Sequence, residues 1–184
     1  GFNGMGIYKS TDGETFTELT NTQSFGNVYI LTAHPTTNHI YAGSSNGLRV
    51  SENGGDTWKL IKGGSCKEIK FNKNGVLLAS IGNLIWRSTT PNDGTSYQSI
   101  SGFTNNRRAA IGWAESDDNY CYILTVGNVT FDGQTYGGGS LTGLYRSTDA
   151  GQTFTQEVGQ MSQFFAPFTY IGLQAQGLYD LALG

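Results

Sequence analysis

The chain alternates short apolar runs with polar, glycine-rich turns over most of its length. β-Branched and aromatic residues fill segments of four to seven residues, such as 28–34, 39–42, 48–51, 67–71 and 76–81, and turn-forming residues bound each segment. Runs of this length are typical of β-strands, and no stretch keeps a helical period for a useful distance. The pattern therefore predicts an all-β protein.

One polar turn returns four times, beginning at Ser10, Ser51, Ser88 and Ser147. Three copies share a serine, an Asp or Asn two positions later, a glycine and a closing aromatic residue: Ser10, Asp12, Gly13 and Phe16; Ser51, Asn53, Gly55 and Trp58; Ser147, Asp149, Gly151 and Phe154. The Asp or Asn side chain is expected to bond backbone amides, the glycine to take a positive φ, and the ring to be buried as the next strand begins. The copy at Ser88 lacks the acid or amide, so its turn should differ.

The spacing of these turns predicts their setting. The four serines are 41, 37 and 59 residues apart. The first two intervals fit a four-stranded propeller blade of roughly 40–45 residues. The third interval must contain an insertion.

The turns resemble the Asp-box, or BNR repeat, Ser-x-Asp-x-Gly-x-Thr-Trp/Phe, of large secreted bacterial propellers and of sortilin- and xyloglucanase-type propellers. The run 176–183 also looks like an inner-strand opening of such proteins. In that family the box joins the third strand of a blade to the fourth, outermost one. The resemblance implies a β-propeller segment of about three to four four-stranded blades, in a secreted or cell-surface protein. The implied blades are the outer strands 6–19, full blades 28–62, 66–100 and 107–158, and the start of another at 177–184.

Residues 1–184 are interpreted as one fragment of a larger propeller, because a sheet that ends with a single strand leaves exposed edges. On this interpretation, residues 1–184 pack against the remaining blades of the same protein, which count among its partners. The alternative is that the outer strands at the start join the last strand and close a small ring of about four blades.

Composition mainly excludes functions. A net charge of −3 without a basic run argues against nucleic-acid binding, and no apolar run approaches the roughly 20 residues needed to span a bilayer. His34 and His39 flank a turn without further ligands, so neither a metal nor a cofactor is expected. Cys66 and Cys121 fall at opposite ends of neighbouring blades and are expected to be free, partly buried thiols. Asn128 begins a glycosylation sequon.

The boxes should decorate one rim of the blades, which leaves the other rim for function. That rim holds the two longest irregular stretches, 127–142 and 159–176. Long loops in a compact domain are often functional. The candidate binding residues there are Phe131, Asp132, Tyr136, Phe164, Phe165, Phe168 and Tyr170. Arg107 and Arg108 reach the same rim, where they could hold a carboxylate or simply be solvated at the surface. Aromatic rings beside amides and carboxylates suit a glycan or peptide groove, or the rings simply pin their own loops to the sheet.

The sequence therefore predicts a binding or scaffold module that contacts a glycan or protein partner. The alternative is part of a glycoside hydrolase whose active site is completed outside this chain. A sialidase-like site needs an arginine cluster, and the five arginines do not assemble one. An endoglucanase-like site needs two Asp residues; Asp180 is the best candidate but has no identifiable partner, and an acceptor role within its strand is the competing interpretation.

Overall fold

The computed structural model describes Gly4 and residues 6–103, 107–131 and 134–159. The regular secondary structure of this part of the chain is β-strand, apart from two short 3₁₀ helices at Thr20–Phe25 and Gly94–Ser96. The strands are β1 Ile7–Lys9, β2 Thr17–Leu19, β3 Val28–Ala33, β4 Ile40–Ser44, β5 Gly47–Ser51, β6 Lys59–Lys62, β7 Cys66–Phe71, β8 Leu77–Ile81, β9 Leu84–Ser88, β10 Gln98–Ile100, β11 Arg108–Trp113, β12 Cys121–Phe131, β13 Gln134–Ser147 and β14 Thr155–Val158. The predicted all-β class is confirmed.

The strands form antiparallel sheets in chain order. Strands β3 to β6, β7 to β10 and β11 to β14 make three four-stranded sheets, and β1 pairs with β2 in a two-stranded sheet. The first strands of successive sheets, β3, β7 and β11, contact one another. Since consecutive sheets stack with their first strands adjacent, the described residues form part of a β-propeller.

The core lies between the sheets, which explains the sequence pattern of the middle sheet. Every residue of β8 is buried. Leu77 packs with Tyr41 in the cluster shared with the preceding sheet, while Leu78 packs with Ile123 in the cluster shared with the following one. A strand covered on both faces has a nearly continuous apolar sequence, and burial of each of its Leu and Ile side chains contributes about 1.5–3 kcal/mol.

The antiparallel order gives the sheets two rims. The repeat-turn rim carries the turns between the third and fourth strands, together with the turns between the first and second strands. The hairpin rim carries the connections between the second and third strands and the segments that pass from one sheet to the next, 63–65 and 101–107. These two names are used below.

Hydrogen bonds explain why the serine turns recur. The Ser51 hydroxyl accepts the amide of Gly55 at 2.8 Å and donates to the Asn53 side chain at 3.1 Å, and that side chain accepts the Thr57 amide at 2.9 Å. Ser147 and Asp149 repeat these contacts: Ser147 donates to Asp149 at 2.7 Å and accepts the amide of Gly151 at 2.9 Å. The glycine φ is +99° at 55 and +76° at 151, as the turn requires.

The turn at Ser88 differs, as its sequence predicts. The Ser88 and Ser96 hydroxyls lie 2.6 Å apart, and Asp93 accepts the Thr95 amide at 2.9 Å to cap the short helix. The hydroxyl of the buried Tyr97 donates to the carbonyl of Pro91 at 2.9 Å. The two extra residues are thus accommodated by a 3₁₀ turn.

The prediction that each closing ring is buried is wrong for Phe16, which is 60% exposed. Trp58 and Phe154 are only half-buried: Trp58 packs edge-on against Phe25 at 5.6 Å between ring centroids, and Phe154 packs against Phe103 at 5.3 Å. In both cases the partner ring precedes the sheet that carries the turn. Within the described residues no sheet precedes β1 and β2, so Phe16 has no comparable surface to contact.

The prediction of an irregular loop at 127–142 is also wrong. Strands β12 and β13 continue through it, with Val129 opposite Tyr136, Thr130 opposite Thr135 and bulges beside Val126 and Asn128. β-Branched residues favour this extended pairing despite the glycines at 137–139.

Cys66 and Cys121 are free and buried, as predicted. Burial raises the pKa of each thiol to about 12. Neither thiol is therefore prone to react as a thiolate at neutral pH.

Candidate functional site: the hairpin rim

The long hairpin of β12 and β13 is the main irregularity among the described sheets. β12 has 11 residues, whereas β4 and β8 have 5 each. At about 3.4 Å per residue, the six additional residues lengthen this strand by about 20 Å.

The base of the hairpin is fixed by a buried polar contact. Thr142 donates its hydroxyl hydrogen to the Thr125 hydroxyl at 2.8 Å, and Thr125 donates to the carbonyl of Gly143 at 3.3 Å. Val129, further along the hairpin, is fully buried. Satisfied buried hydroxyls and a buried apolar side chain both favour one position for the stem.

Arg107 and Arg108 lie where this hairpin meets the inner strand β11. The Arg107 amide donates to the carbonyl of Val126 at 2.8 Å, so the pairing of β11 with β12 extends to this residue. The exposed Arg107 guanidinium donates to the Asn128 side-chain oxygen at 3.3 Å. These contacts place Arg107 at the hairpin rim, and Arg108 is the next residue, the first of β11.

The structure adds Lys67, which the sequence analysis did not single out. Lys67 is the second residue of β7, and its ammonium donates to the carbonyl of Arg107 at 3.4 Å. It therefore reaches from the second four-stranded sheet to the third. No motif marks this lysine, because only the adjacency of β7 and β11 brings it to the arginines.

The environment of Lys67 disfavours its positive charge. Burial, followed by the charges of Arg107 and Arg108, lowers the pKa of Lys67 below its ordinary value. Burial raises the pKa of the neighbouring Glu68 carboxyl, an effect that Lys70, the Ile111 amide and Arg108 partly oppose. Cations that are gathered and partly desolvated in this way favour the approach of an anion.

The other three arginines make contacts elsewhere in the sheets. The Arg87 guanidinium donates to the carbonyl of Ala150 at 2.9 Å, Arg146 pairs with Glu157 at 2.8 Å, and Arg49 lies over the Phe25 ring at 4.3 Å. They are spread over different sheets. The only carboxylate on the described inner strands β3, β7 and β11 is Glu68.

The repeat-turn rim has its own cleft, of about 420 Å³, between the first two four-stranded sheets. Its central side chain, Asn92, donates to His39 Nδ1 at 2.8 Å and to Glu52 Oε1 at 2.9 Å and accepts the Tyr41 hydroxyl hydrogen. Lys59 donates to the Asn92 carbonyl at 3.1 Å. These polar groups join two sheets, which makes them structural contacts.

Several predicted residues lie outside the described part of the chain. They are Asp132, Phe164, Phe165, Phe168, Tyr170 and Asp180, together with the stretch after residue 159 that includes 177–184. Phe131 and Tyr136 belong to β12 and β13. Among the described residues, no group of three His, Cys, Asp or Glu side chains is placed to hold a metal ion, and no helix is long and apolar enough to cross a membrane.

No protein-family model and no curated protein matches the sequence. Solved structures do match. An ancestral GH74 enzyme superposes with a TM-score of 0.60 at 23% identity, and the GH74 enzyme of Niastella koreensis with 0.62 at 20%. YCF48 bound to a D1 peptide superposes with 0.50 at 19% identity. At these identities the likeness establishes the β-propeller fold.

The matches cover most of this chain but less of the other proteins. The two GH74 enzymes cover 84% of it and YCF48 covers 83%. In return, the chain spans 21% and 26% of the GH74 enzymes and 47% of YCF48.

Proposed function

We propose that this chain is a binding module of a larger β-propeller protein and contacts a partner polypeptide through the hairpin rim. The observation that carries the proposal is the elongated hairpin of β12 and β13, which rises beside Arg107 and Arg108. The remaining blades of the same protein would pack at either end of this arc of sheets. The Asp-box character of the serine turns supports a secreted or cell-surface protein.

The polar side chains of the two rims have different roles, and this difference supports the hairpin rim as the binding face. On the repeat-turn rim, polar side chains stabilise the turns and connect neighbouring sheets, as Asn53, Asp149 and Asn92 show. The hairpin rim combines strand pairing with concentrated positive charge. Extended hairpins and guanidinium groups are both suited to polypeptide recognition, the first through the backbone and the second through carboxylates.

One of the structural neighbours supports a binding role. YCF48, one of them, is a propeller protein solved with a bound peptide. GH74 enzymes share the fold and would suit a hydrolase, but the described inner strands of this chain offer a single carboxylate, Glu68. Hydrolysis by the usual pair of carboxylates needs two.

The test is to shorten the hairpin. A variant in which Asn-Gly replaces residues 128–139 joins Gly127 to Ser140, which are already paired. A control carries Thr11→Ala and Glu14→Ala, two exposed positions of the repeat-turn rim. Both proteins and the wild type are applied to peptide and glycan arrays, after circular dichroism has shown that they are folded.

We expect the wild type and the control to bind the same peptides and the shortened variant to lose them. Unchanged peptide binding by the shortened variant would remove the hairpin rim from the proposal. If the wild type binds only glycans and the shortened variant loses that binding, the hairpin rim remains the binding face, but the partner is a glycan and not a polypeptide.

A further inference from the structure

Three cations meet at the point where two inner strands begin. Lys67 is the second residue of β7, Arg108 is the first residue of β11, and Arg107 immediately precedes it. The Lys67 ammonium bridges the gap between the sheets through its bond to the Arg107 carbonyl at 3.4 Å. The cluster is therefore built by the packing of one sheet on the next.

The charge of this corner is positive, whereas that of the whole chain is negative. The protein has a net charge of −3, yet this corner gathers Lys67, Arg107 and Arg108 with Glu68 as the nearby carboxylate. Bringing like charges together and partly burying one of them costs free energy. The lowered pKa of Lys67 reflects that cost.

Arg107 and Lys67 each carry several N–H donors. Asn128 accepts one N–H group of the Arg107 guanidinium at 3.3 Å, which orients the fork, and the guanidinium has further N–H groups. The Lys67 ammonium has three N–H groups, of which the Arg107 carbonyl accepts one. The charge of Arg107 is near enough to lower the pKa of Lys67, so a carboxylate that approaches here is attracted by both cations.

We propose that Lys67, Arg107 and Arg108 form an anion site that takes carboxylate side chains of an acidic polypeptide segment. This inference rests on the proposed function, because it names the chemistry of the partner that the hairpin rim would bind. A nucleic acid is disfavoured, since the cluster spans only three cations and the chain has no longer basic tract to follow a phosphate backbone.

The test uses a hexapeptide of glutamate with blocked ends, titrated calorimetrically into the intact chain at low and at physiological salt. The variant is Lys67→Gln with Arg107→Gln. The control, Lys9→Gln with Lys73→Gln, removes the same charge away from the site, at an exposed ion pair with Asp56 and at a contact with the Glu115 carbonyl. A charge-conserving variant, Lys67→Arg with Arg107→Lys, tests whether charge alone suffices.

We expect the peptide affinity to fall about tenfold or more in the Gln variant and by less than about twofold in the control. The affinity of the wild type should also fall as salt rises. The charge-conserving variant should lose part of the binding, because Arg107→Lys removes the guanidinium fork that Asn128 orients. Equal losses in the Gln variant and the control, or no binding by the wild type, would overturn the site.

A parallel titration with inorganic phosphate separates two sources of the anion. If phosphate binds with the same dependence on Lys67 and Arg107 while the peptide does not bind, the assignment to a polypeptide carboxylate is wrong. If the Gln variant keeps its peptide affinity but the shortened hairpin loses its array peptides, this inference falls and the proposed function stands.

Discussion

The two rims use similar polar residues for opposite purposes. On the repeat-turn rim, Ser147 and Asp149 bond the turn that carries them, and Asn92 joins its turn to three side chains of the preceding sheet. On the hairpin rim, Lys67 and Arg107 are brought together although their charges repel. The repeated polar motif therefore serves the stability of the blades, whereas the unrepeated cluster of like charges does not, and the proposed partner site rests on that cluster.

The largest expected effect is at the joint between sheets. Asn92→Asp removes the two N–H groups that reach His39 and Glu52 and places a second carboxylate beside Glu52. We expect the free energy of unfolding to fall by about 2–4 kcal/mol, because a half-buried polar network is broken and a like-charge contact is created. Urea unfolding at pH 7 measures it.

Asn38→Asp, at an exposed position of the same rim, is the control and should change stability by less than about 0.5 kcal/mol. If the two variants unfold alike, Asn92 does not join the sheets as described, and the contrast between the rims weakens.

A smaller effect is expected at Asp149, with a defined dependence on pH. Burial alone would raise the pKa of this carboxyl, but hydrogen bonds from Thr153, Ser147 and Gln152 lower it from 3.8 to about 2. Because the pKa in the folded protein lies below that of the unfolded chain, the carboxylate stabilises the fold above about pH 4. That contribution is lost as the pH falls from about 5 towards 2.

Asp149→Asn keeps an oxygen acceptor, the role that Asn53 performs in the turn at Ser51. We expect it to lower stability at pH 7 by about 1 kcal/mol, after allowance for solvent screening, and the difference from the wild type to vanish near pH 2. Thermal unfolding across this pH range checks it. A constant difference at every pH would show that the charge of Asp149 does not matter.

The smallest effect should have the opposite sign. Lys67→Gln removes a partly buried charge that Arg107 and Arg108 repel, so the free energy of unfolding should stay the same or rise by up to about 0.5 kcal/mol. Lys9→Gln is the matched control. A clear loss of stability in Lys67→Gln alone would mean that Lys67 holds the sheets together. Its role would then be structural, like that of Asn92 on the repeat-turn rim.

Much of the architecture could be predicted because its signals are local. Alternating apolar runs gave the strands, and serine, Asp or Asn and glycine at fixed spacing gave the turns between third and fourth strands. The missed hairpin had a local signal too. Asp132-Gly133 is a favoured pair for a two-residue hairpin connection, although the neighbouring glycines suggested a loop.

The error at Phe16 had a different origin. Its turn has the same hydrogen bonds as the others, with Ser10 accepting the amide of Gly13 at 2.8 Å and Asp12 accepting that of Thr15 at 2.8 Å. Burial of the closing ring, however, depends on a ring from a preceding segment, such as Phe25 for Trp58. A local motif specifies its own backbone and leaves the partner of its ring undetermined.

The sequence by itself determined the all-β class, the recurring turns and the expectation that the two thiols are free. These follow from strand period, turn chemistry and spacing, which act over a few residues. Only the tertiary structure brought Lys67 to Arg107, 40 positions later, and Asn92 to His39, 53 positions earlier. The physical reason is that contacts between stacked sheets depend on register and twist accumulated over whole blades, which no short stretch of sequence encodes.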